Sequence, residues 1–411
     1  KETMRGGHSE IAAPSNNNTK GGLDKDYITA WSYGKAETFT LMVPNVCGGA
    51  TIKPEKGSNR FLSLADYDQT KEMLNNGTIN MQEYQFMSQL PQYFGNQPLT
   101  NGPVYVGIII FARFVLECIT IKGPMKWALL AATIISILLS WGHNMMWLTD
   151  LMIDHFPMYN KFRTVASILV IAEFTMPLLA MLTLQQMFTQ PDWWKQHSRA
   201  FYGTMGVCLI ICLFIYLVPS TFSLYSTSER DQLTAAGLFQ QYPQLFMNIE
   251  AIRKSVISAD ALRSLLFLIA GAAVLYACLN GKLRVAYAAA ATAVIVFADL
   301  FTVNKRYLDT ESFTEAVNSV ENFNPRPVDR QILADTAQNY RVFDLHHFGE
   351  AMPSYFHKHI GGYHAAKLTR YQDLIDRQIN KGNPEVINML NTKYIIQSDT
   401  TVMLNPGALG N

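Results

Sequence analysis

Cysteine and net charge are both scarce in this chain of 411 residues, and each scarcity excludes a class of protein. Four of the five cysteines lie inside long apolar stretches, and Cys47 alone lies outside them, so no disulfide framework is available. The formal net charge is only +1. A nucleic-acid-binding protein needs a basic face, so nucleic acid is not expected as a partner.

Metal-binding patterns are also sparse. The string YFHKHIGGYH contains His357, His359 and His364, and its HxH spacing resembles that of metal ligands. No carboxylate or fourth ligand follows at a recognisable spacing. We therefore expect these histidines to be surface or packing residues, and no metal site is predicted.

What the chain has in abundance is apolar sequence in its middle half. Six stretches come near the roughly 20 residues that a helix needs to cross about 30 Å of hydrocarbon. The predicted fold class is a polytopic α-helical membrane protein with about six transmembrane helices, in a membrane domain that covers residues 103–303. The stretches are Pro103–Ile121, Met125–Trp141, Thr164–Met187, Ala200–Val218, Leu262–Leu279 and Val285–Val303.

The connections between these stretches predict their orientation. Three short connections are basic, as cytoplasmic loops are. The alternate connections, 142–163 and 219–261, are longer and carry acids as well. An even number of helices then places the flanking segments 1–102 and 304–411 together on the outer side. The basic residues of the short connections are Lys122 and Lys126, Lys195 and Arg199, and Lys282 and Arg284.

Both flanking segments have the composition of folded extracytoplasmic structure. Ile28–Thr51 mixes aromatic and β-branched residues with a Gly-Gly turn, which predicts strands, and Leu62–Leu90 has the spacing of one or two amphipathic helices. The first segment is thus predicted to be mixed strand and helix, and the second to be a small α/β domain. The elements predicted in the second are the strands Tyr340–Leu345 and Lys393–Gln397 and the helices Gln372–Asn380 and Pro384–Leu390.

Ionisable residues inside the apolar stretches are costly to bury unless they are paired or face water. Arg113 lies ten residues into the first stretch and Glu173 nine residues into the third, so the two are predicted at similar depth and as an ion pair. Glu117, one helical turn from Arg113, is a second candidate partner. The pair is either a structural link between helices or part of a substrate or proton site. Asp299, near the outer end of the last stretch, is expected to be hydrated.

The connection WGHNMMWLTDLMIDHFPMYNKFR, from Trp141 to Arg163, is too apolar for an ordinary aqueous loop. We expect a helix that lies in or dips into the outer interface of the membrane and lines a cavity. Lys161 and Arg163 stand at the outer end of the third stretch, where they suit a lipid phosphate or pyrophosphate. The alternative is that they only contact headgroups. His143, in the same connection, is a further candidate for substrate binding.

Eight strings, distributed in order from Arg5 to Ile396, together resemble the YfhO family of bacterial membrane proteins in the form found in Bacteroidetes. Members of that family are roughly twice this long. Together with a start at Lys1, without initiator Met or signal peptide, the resemblance implies a C-terminal fragment of a longer protein. The strings are RGGHSE, GLDKDYITAWSYGKAETFTLMVPN, YFGNQPLTNGPVYVG, FPMYNKFR, FNPRPVDRQIL, YRVFDL, AMPSYFHKHIGGYHAAKLTRYQDLI and NMLNTKYII.

The YfhO family in turn resembles the C-type glycosyltransferases, which implies an activity, a location and partners. Such enzymes take a sugar from a polyprenyl-phosphate carrier and transfer it to a cell-envelope glycan acceptor at the outer face of the bacterial inner membrane, in contact with membrane lipid. Their general base is usually an acid in the first outer loop, so the resemblance implies that this residue precedes the present chain.

The residues that remain suit glycosyl transfer, which needs a base for the acceptor hydroxyl, cations or a divalent metal ion for the departing phosphate, and aromatic rings for the sugars. Asp26 and Glu37 flank Trp31 and are the candidate catalytic carboxylates in this chain, with Trp31 as a substrate-binding ring. The alternative is that both acids are solvated residues at turns and strand ends. No other cofactor is predicted.

Two other classes of function also fit these residues. A transporter or flippase for lipid-linked saccharides would use Arg113 and Glu173 as a gating pair. A non-enzymatic scaffold would use the flanking domains to bind partners in the cell envelope, and it would not depend on Asp26, Glu37 or Arg163.

Overall fold

The computed structural model describes residues 22–410 apart from 57, 121, 191, 314–323, 338 and 365–366. The chain is mostly helical, and its described part contains two small sheets. It divides into two compact units. The membrane unit comprises Ile28–Met152 and Arg163–Phe313, and the C-terminal unit comprises the described residues of Lys1–Tyr27, Ile153–Phe162 and Thr314–Asn411.

Helices account for most of the described elements, and five short strands complete them. The helices are α1 (Lys25–Thr29), α2 (Asp68–Asn75), α3 (Met81–Met87), α4 (Ile108–Thr120), α5 (Pro124–Ser140), α6 (Met146–His155), α7 (Val170–Thr189), α8 (Trp193–Leu217), α9 (Thr227–Ala235), α10 (Leu238–Gln241), α11 (Pro243–Leu279), α12 (Val285–Tyr307), α13 (Pro327–Leu333), α14 (Ala351–Phe356), α15 (Thr369–Leu374) and α16 (Pro384–Met389). The strands are β1 (Ile52–Glu55), β2 (Ser58–Phe61), β3 (Arg341–Asp344), β4 (Thr392–Ile396) and β5 (Val402–Leu404).

Four helices in the described part of the chain are long and apolar enough to cross a membrane. They are α8, α11, α12 and the continuous run Val165–Thr189, in which a 3₁₀ turn leads into α7. A fifth candidate is the pair Pro124–Ser140 and Gly142–His155, which is bent by 110°. The protein is therefore a membrane protein, as its apolar stretches predict. The predicted fifth stretch is the second half of α11, which has 37 residues.

The first predicted span is shorter than expected. Within the described residues 103–120 of this stretch, only the 13 residues of α4 are helical, because residues 103–107 form no helix and Gly107 has a φ of +93°. At 1.5 Å per residue, α4 is about 20 Å long, which is less than the hydrocarbon thickness of about 30 Å. Its buried face carries Arg113 and Glu117 and packs against α7, α8 and α11. The helix is thus an internal element of the membrane unit.

Asp299 of α12 is buried, with only 1% of its surface exposed, so the expectation that it is hydrated is wrong. Its carboxylate accepts hydrogen bonds from the Ile108 backbone N–H at 3.2 Å, the Tyr105 hydroxyl at 2.8 Å and Arg263 at 2.6 Å. A carboxylate is favourable at a helix N-terminus, where backbone N–H groups lack partners. Asp299 therefore caps the first turn of α4 from another helix.

The polar segment before α4 was predicted to contain strands in its first half and helices in its second half. The prediction is wrong for the first half and confirmed for the second. Ile28–Thr51 contains the end of α1 and a 3₁₀ turn, Ala36–Leu41, but no named strand. Most of its apolar residues are buried in the packing of the unit rather than paired in a sheet. The helices predicted within Leu62–Leu90 are confirmed as α2 and α3, and an antiparallel hairpin of β1 and β2 precedes them.

The C-terminal unit contains the predicted α/β structure. Its sheet has the order β3-β4-β5, with β3 and β4 parallel and β4 and β5 antiparallel. Parallel strands need a crossover, which here contains α14, α15, a π-helical turn at Ile375–Ile379 and α16. The strands and helices match those predicted from the sequence to within a few residues. The apolar core of this crossover consists of Phe343, Ile360, Ile375, Ile379 and Ile387.

Arg253 attaches the connection before α11 to that helix. Its side chain is fully buried, donates to the Leu224 carbonyl at 2.5 Å, and forms a two-point contact with the Glu229 carboxylate at 2.7 and 3.0 Å. The guanidinium also lies 5.1 Å from the centre of the Phe94 ring and 4.8 Å from that of Tyr225. A buried charge is tolerated only with such a set of partners.

We therefore predict that Arg253→Met destabilises the membrane unit by about 3 kcal/mol, because the change leaves the Glu229 carboxylate without its counter-charge. The control is Lys254→Met on the same helix, since Lys254 makes only an exposed pair with Glu250 and should cost less than about 1 kcal/mol. The measurement is the free energy of unfolding in detergent micelles. Equal effects of the two substitutions would contradict this account of Arg253.

Candidate functional site

The bend between α5 and α6 is fixed to the chain segment that contains Trp31. Ser32 Oγ accepts a hydrogen bond from the His143 backbone N–H at 2.9 Å, and the Tyr33 N–H donates to the Ser140 carbonyl at 2.8 Å. Gly142 has a φ of +44°, and a Cβ at this position would lie 2.0 Å from Ser32 Oγ. The sharp turn and the close approach both require glycine.

Three of the predicted substrate-binding residues meet at this bend. The Arg163 guanidinium lies 5.5 Å from the centre of the Trp31 ring, and the Trp31 carbonyl accepts from the Ala166 N–H at 3.1 Å. Thr164 has a φ of +67°, which is unusual for a β-branched residue. His143 Nδ1 lies 3.2 Å from the Thr29 carbonyl. We call Trp31, Ser32, His143 and Arg163 the bend site.

The other residues predicted for substrate binding and catalysis are placed differently. Lys161 ends a 3₁₀ turn, Tyr159–Lys161, and Asp26 is an exposed residue of α1, and both belong to the C-terminal unit. Glu37 belongs to the membrane unit and is only 3% exposed. The two predicted catalytic carboxylates therefore lie in different units, and catalysis by either remains a prediction.

Glu37 has the surroundings of a structural carboxylate. It accepts hydrogen bonds from the Gly34 N–H at 2.9 Å, the Tyr93 hydroxyl at 2.6 Å and Gln97 Nε2 at 3.1 Å. Burial raises the pKa of Glu37, and the hydrogen bonds from Tyr93, Gly34 and Gln97 oppose this rise. The expectation that Glu37 is a solvated acid is wrong, since it holds the turn at Gly34 against Tyr93.

The predicted ion pair between Arg113 and Glu173 is not formed. Arg113 donates to the Ala180 carbonyl, and Thr183 donates to Glu117, whereas Glu173 is exposed on the surface of α7. Ala180 lies seven residues beyond Glu173. Residues 103–107 are not helical, and such a segment can advance about 3.3 Å per residue instead of 1.5 Å, so counting every residue as helical underestimates the distance of Arg113 from Pro103. The gating pair of the transporter alternative is thus absent.

The apolar connection between Trp141 and Arg163 does contain a helix, as predicted. It begins with a 3₁₀ turn, Gly142–Met145, and continues as α6. Several large apolar side chains along it are more than half exposed, although exposure of such groups to water is costly. They are Trp147 at 66%, Phe156 at 58%, Met158 at 65% and Phe162 at 58%.

Sequence reasoning missed a polar cleft of about 400 Å³ in the membrane unit. It lies where α11 and α12 meet the segment from Asn45 to Gln92. Because its lining comes from separate parts of the chain, no contiguous motif marks it. We call it the polar cleft, and its principal lining residues are Lys53, Asp66, Tyr67, Asp260, Arg306 and Tyr307.

Both cations of the polar cleft's described lining are already paired with carboxylates. Arg306 makes a two-point contact with Asp260, with both distances 2.7 Å, and Lys53 pairs with Asp309. The Tyr67 hydroxyl accepts from the Gly49 N–H at 3.0 Å, and burial raises the Tyr67 pKa above its usual value. The cleft therefore presents fixed polar groups without an unpaired cation among its described lining.

A second polar cluster lies in the C-terminal unit around Arg326. Its guanidinium contacts Asp329, at 2.9 Å, and Asp344, at 2.8 Å, and both carboxylates are buried. Burial opposes their ionisation, but hydrogen bonds, those from Arg326 among them, lower the pKa of both. His357 Nε2 lies 2.9 Å from Asp329, and His359 Nε2 accepts from the Asp344 N–H at 3.2 Å. These two histidines are packing residues, as expected.

Comparisons with known proteins add nothing to this geometry: no family model, curated protein or solved structure matches the chain. Among the described residues, no group of three or more histidine, cysteine, aspartate and glutamate side chains could hold a metal ion. The class of protein is thus defined by the helices alone, as a membrane protein with two small sheets in its described part.

Burial lowers the pKa of His359 from 6.5 to about 4, because the ring sits in an interior that disfavours the imidazolium. Between these two pH values the unfolded chain binds more protons at this histidine than the folded chain does, so the stability of the C-terminal unit falls as the pH drops from 6.5 to 4. We predict that His359→Gln, which keeps a hydrogen-bond acceptor but cannot be protonated, reduces this loss.

The measurement is the hydrogen-exchange protection of the β3 amides at pH 7 and pH 5. The matched control is His346→Gln, because His346 is exposed and lies two residues after the end of β3. This control should lose protection as the unmodified protein does. If His359→Gln loses as much protection as the control does, His359 is not the group responsible.

Proposed function

We propose that this protein is a membrane-embedded glycosyltransferase. It takes a sugar from a polyprenyl-phosphate carrier and transfers it to a cell-envelope acceptor at the outer face of the bacterial inner membrane. The observation that carries this proposal is the bend site, where the Arg163 guanidinium lies against the Trp31 ring beside the ends of apolar helices. The resemblance of the sequence to the YfhO family gives independent support.

A polyprenyl-linked donor combines an apolar chain, a phosphate and a sugar, and the bend site offers a contact for each. Exposed apolar side chains, Trp147 of α6 and Val170 of α7, are available to the lipid chain. The planar guanidinium of Arg163 suits two-point binding of a phosphate. An indole ring such as that of Trp31 offers a flat face to a sugar.

His143 is the best-placed base of the bend site. A carbonyl can only accept a hydrogen bond, so the contact with Thr29 puts the hydrogen on Nδ1 and leaves Nε2 of the neutral ring as an acceptor. In the proposed step Nε2 takes the proton of the acceptor hydroxyl, whose oxygen attacks the anomeric carbon. The bond between that carbon and the phosphate oxygen breaks, and Arg163 stabilises the charge on the departing lipid phosphate.

Arg163→Ala should weaken binding of a polyprenyl phosphate by roughly ten- to a hundredfold, since one charge-assisted contact is worth about 1.5–3 kcal/mol. Arg163→Lys should restore only part of the affinity, because an ammonium group lacks the planar fork. The measurement is the affinity of purified protein in lipid nanodiscs. Arg199→Ala is the control, as Arg199 is exposed near the start of α8. Unchanged affinity in Arg163→Ala would leave Arg163 as a headgroup contact only.

We further propose that six segments cross or enter the bilayer, with α4 as the short first one and both flanking segments outside. In support, Arg113 contacts Ala180 and Glu117 contacts Thr183, so α4 and α7 run in the same direction, as alternate crossings require. Single cysteines at Lys122 and at Ser398 should then be labelled from opposite sides of the membrane, compared with a parent protein that lacks the native cysteines. Labelling of both from the same side would refute this topology.

A further inference from the structure

The polar cleft has no part in the proposed donor chemistry, yet it is shaped and lined as a ligand site. We propose that it binds a neutral saccharide. This inference rests on the charge, the hydrogen-bonding groups and the walls of the cleft, and it does not depend on glycosyl transfer. Its volume of about 400 Å³ falls in the range of small-molecule sites, roughly 300–1,000 Å³.

The charges of the cleft favour a neutral ligand. Both cations of its described lining have carboxylate partners, Lys53 with Asp309 and Arg306 with Asp260. The lining also includes Asp66, which pairs with Arg60 outside the cleft, and the exposed Asp68. A phosphate or carboxylate ligand would have to displace a carboxylate from Lys53 or Arg306 and would meet further negative charge. A neutral ligand avoids both costs.

The hydrogen-bonding groups of the cleft match those of a polyol. Asn45, Gln69 and Gln92 each carry an amide that donates and accepts, and Asp68 adds an acceptor. Sugar hydroxyls likewise donate and accept, so each can bond to such groups in either sense. The aliphatic residues of the lining are Leu62, Val256 and Ala259, and most of the other lining residues carry polar groups, which disfavours a lipid chain.

The walls of the cleft are fixed before any ligand binds. The Tyr67 hydroxyl is held by the Gly49 N–H at 3.0 Å, and the Tyr307 hydroxyl donates to Asn45 at 3.0 Å, so both rings keep their orientation. Gly49 allows a close approach to two other residues of the lining, because a Cβ there would lie 2.6 Å from Gln92 Oε1 and 3.3 Å from the Tyr67 hydroxyl. Fixed rings reduce the entropy cost of binding and offer flat faces to a sugar.

The test uses the full chain in detergent with maltose, cellobiose and N,N′-diacetylchitobiose as neutral probes, and glucose 1-phosphate and inorganic phosphate as anionic ones. Isothermal titration calorimetry should detect at least one neutral disaccharide and weaker or no binding of both anions. Gln69→Ala and Asp68→Ala should each weaken saccharide binding by about three- to tenfold, the value of one hydrogen bond. No binding of any neutral probe, or tighter binding of an anion, would overturn the proposal.

Two controls separate this site from a general effect on folding and from the bend site. Glu72→Gln on α2 and Gln85→Ala on α3 change exposed residues outside the cleft and should leave the affinity unchanged. If they weaken binding as much as Gln69→Ala does, the saccharide does not bind in the cleft. Arg163→Ala should retain saccharide binding. Affinity for the lipid phosphate therefore tests the proposed function, and affinity for the saccharide tests the polar cleft.

Discussion

Hydrocarbon offers no hydrogen-bond partner, so polar groups inside the membrane unit need partners from the protein itself. This need is greatest for α4. The buried face of α4 carries a guanidinium and a carboxylate, and its first turn exposes backbone N–H groups. The neighbouring helices supply one partner to each: the Ala180 carbonyl of α7 accepts from Arg113, the Thr183 hydroxyl of α7 donates to Glu117, and Asp299 of α12 accepts from the Ile108 N–H of the first turn. A helix too short to span becomes the element against which the longer helices pack.

Composition predicts the long helices well because hydrocarbon thickness sets both their length and their polarity. It could not predict where α4 begins, since that depends on the conformation of Gly107 and on a cap supplied by α12. The position of Arg113 was counted from the start of the apolar stretch as if every residue were helical, and the ion pair with Glu173 that was predicted on this count is not formed. Whether two side chains on different helices can pair depends on the rise per residue along each chain segment, and local backbone conformation sets that rise.

The bend site could be predicted from the sequence because its residues stand in short, unusual strings. The polar cleft could not, because its residues come from distant parts of the chain. Trp31, His143 and Arg163 stand in short strings with unusual composition, and the bend of α5 into α6 brings them together. The polar cleft draws on residues from Asn45 to Tyr307, each of them ordinary in its own segment. Glu37 shows the reverse problem: its neighbours in sequence left a solvated acid open as an alternative to catalysis, but its neighbours in space, Tyr93 and Gln97, bury it and donate to it, and catalysis by Glu37 remains a prediction.

The cap that Asp299 provides has a consequence for biosynthesis. Asp299 follows Ile108 by 191 residues, so at about 5–20 residues per second the ribosome supplies it roughly 10–40 seconds after α4 has been made. During that interval the first turn of α4 lacks its final partner and the polar face of the helix awaits α7. A polypeptide that ends before α12 would leave this nascent helix incomplete, which would make it a natural substrate for membrane quality control.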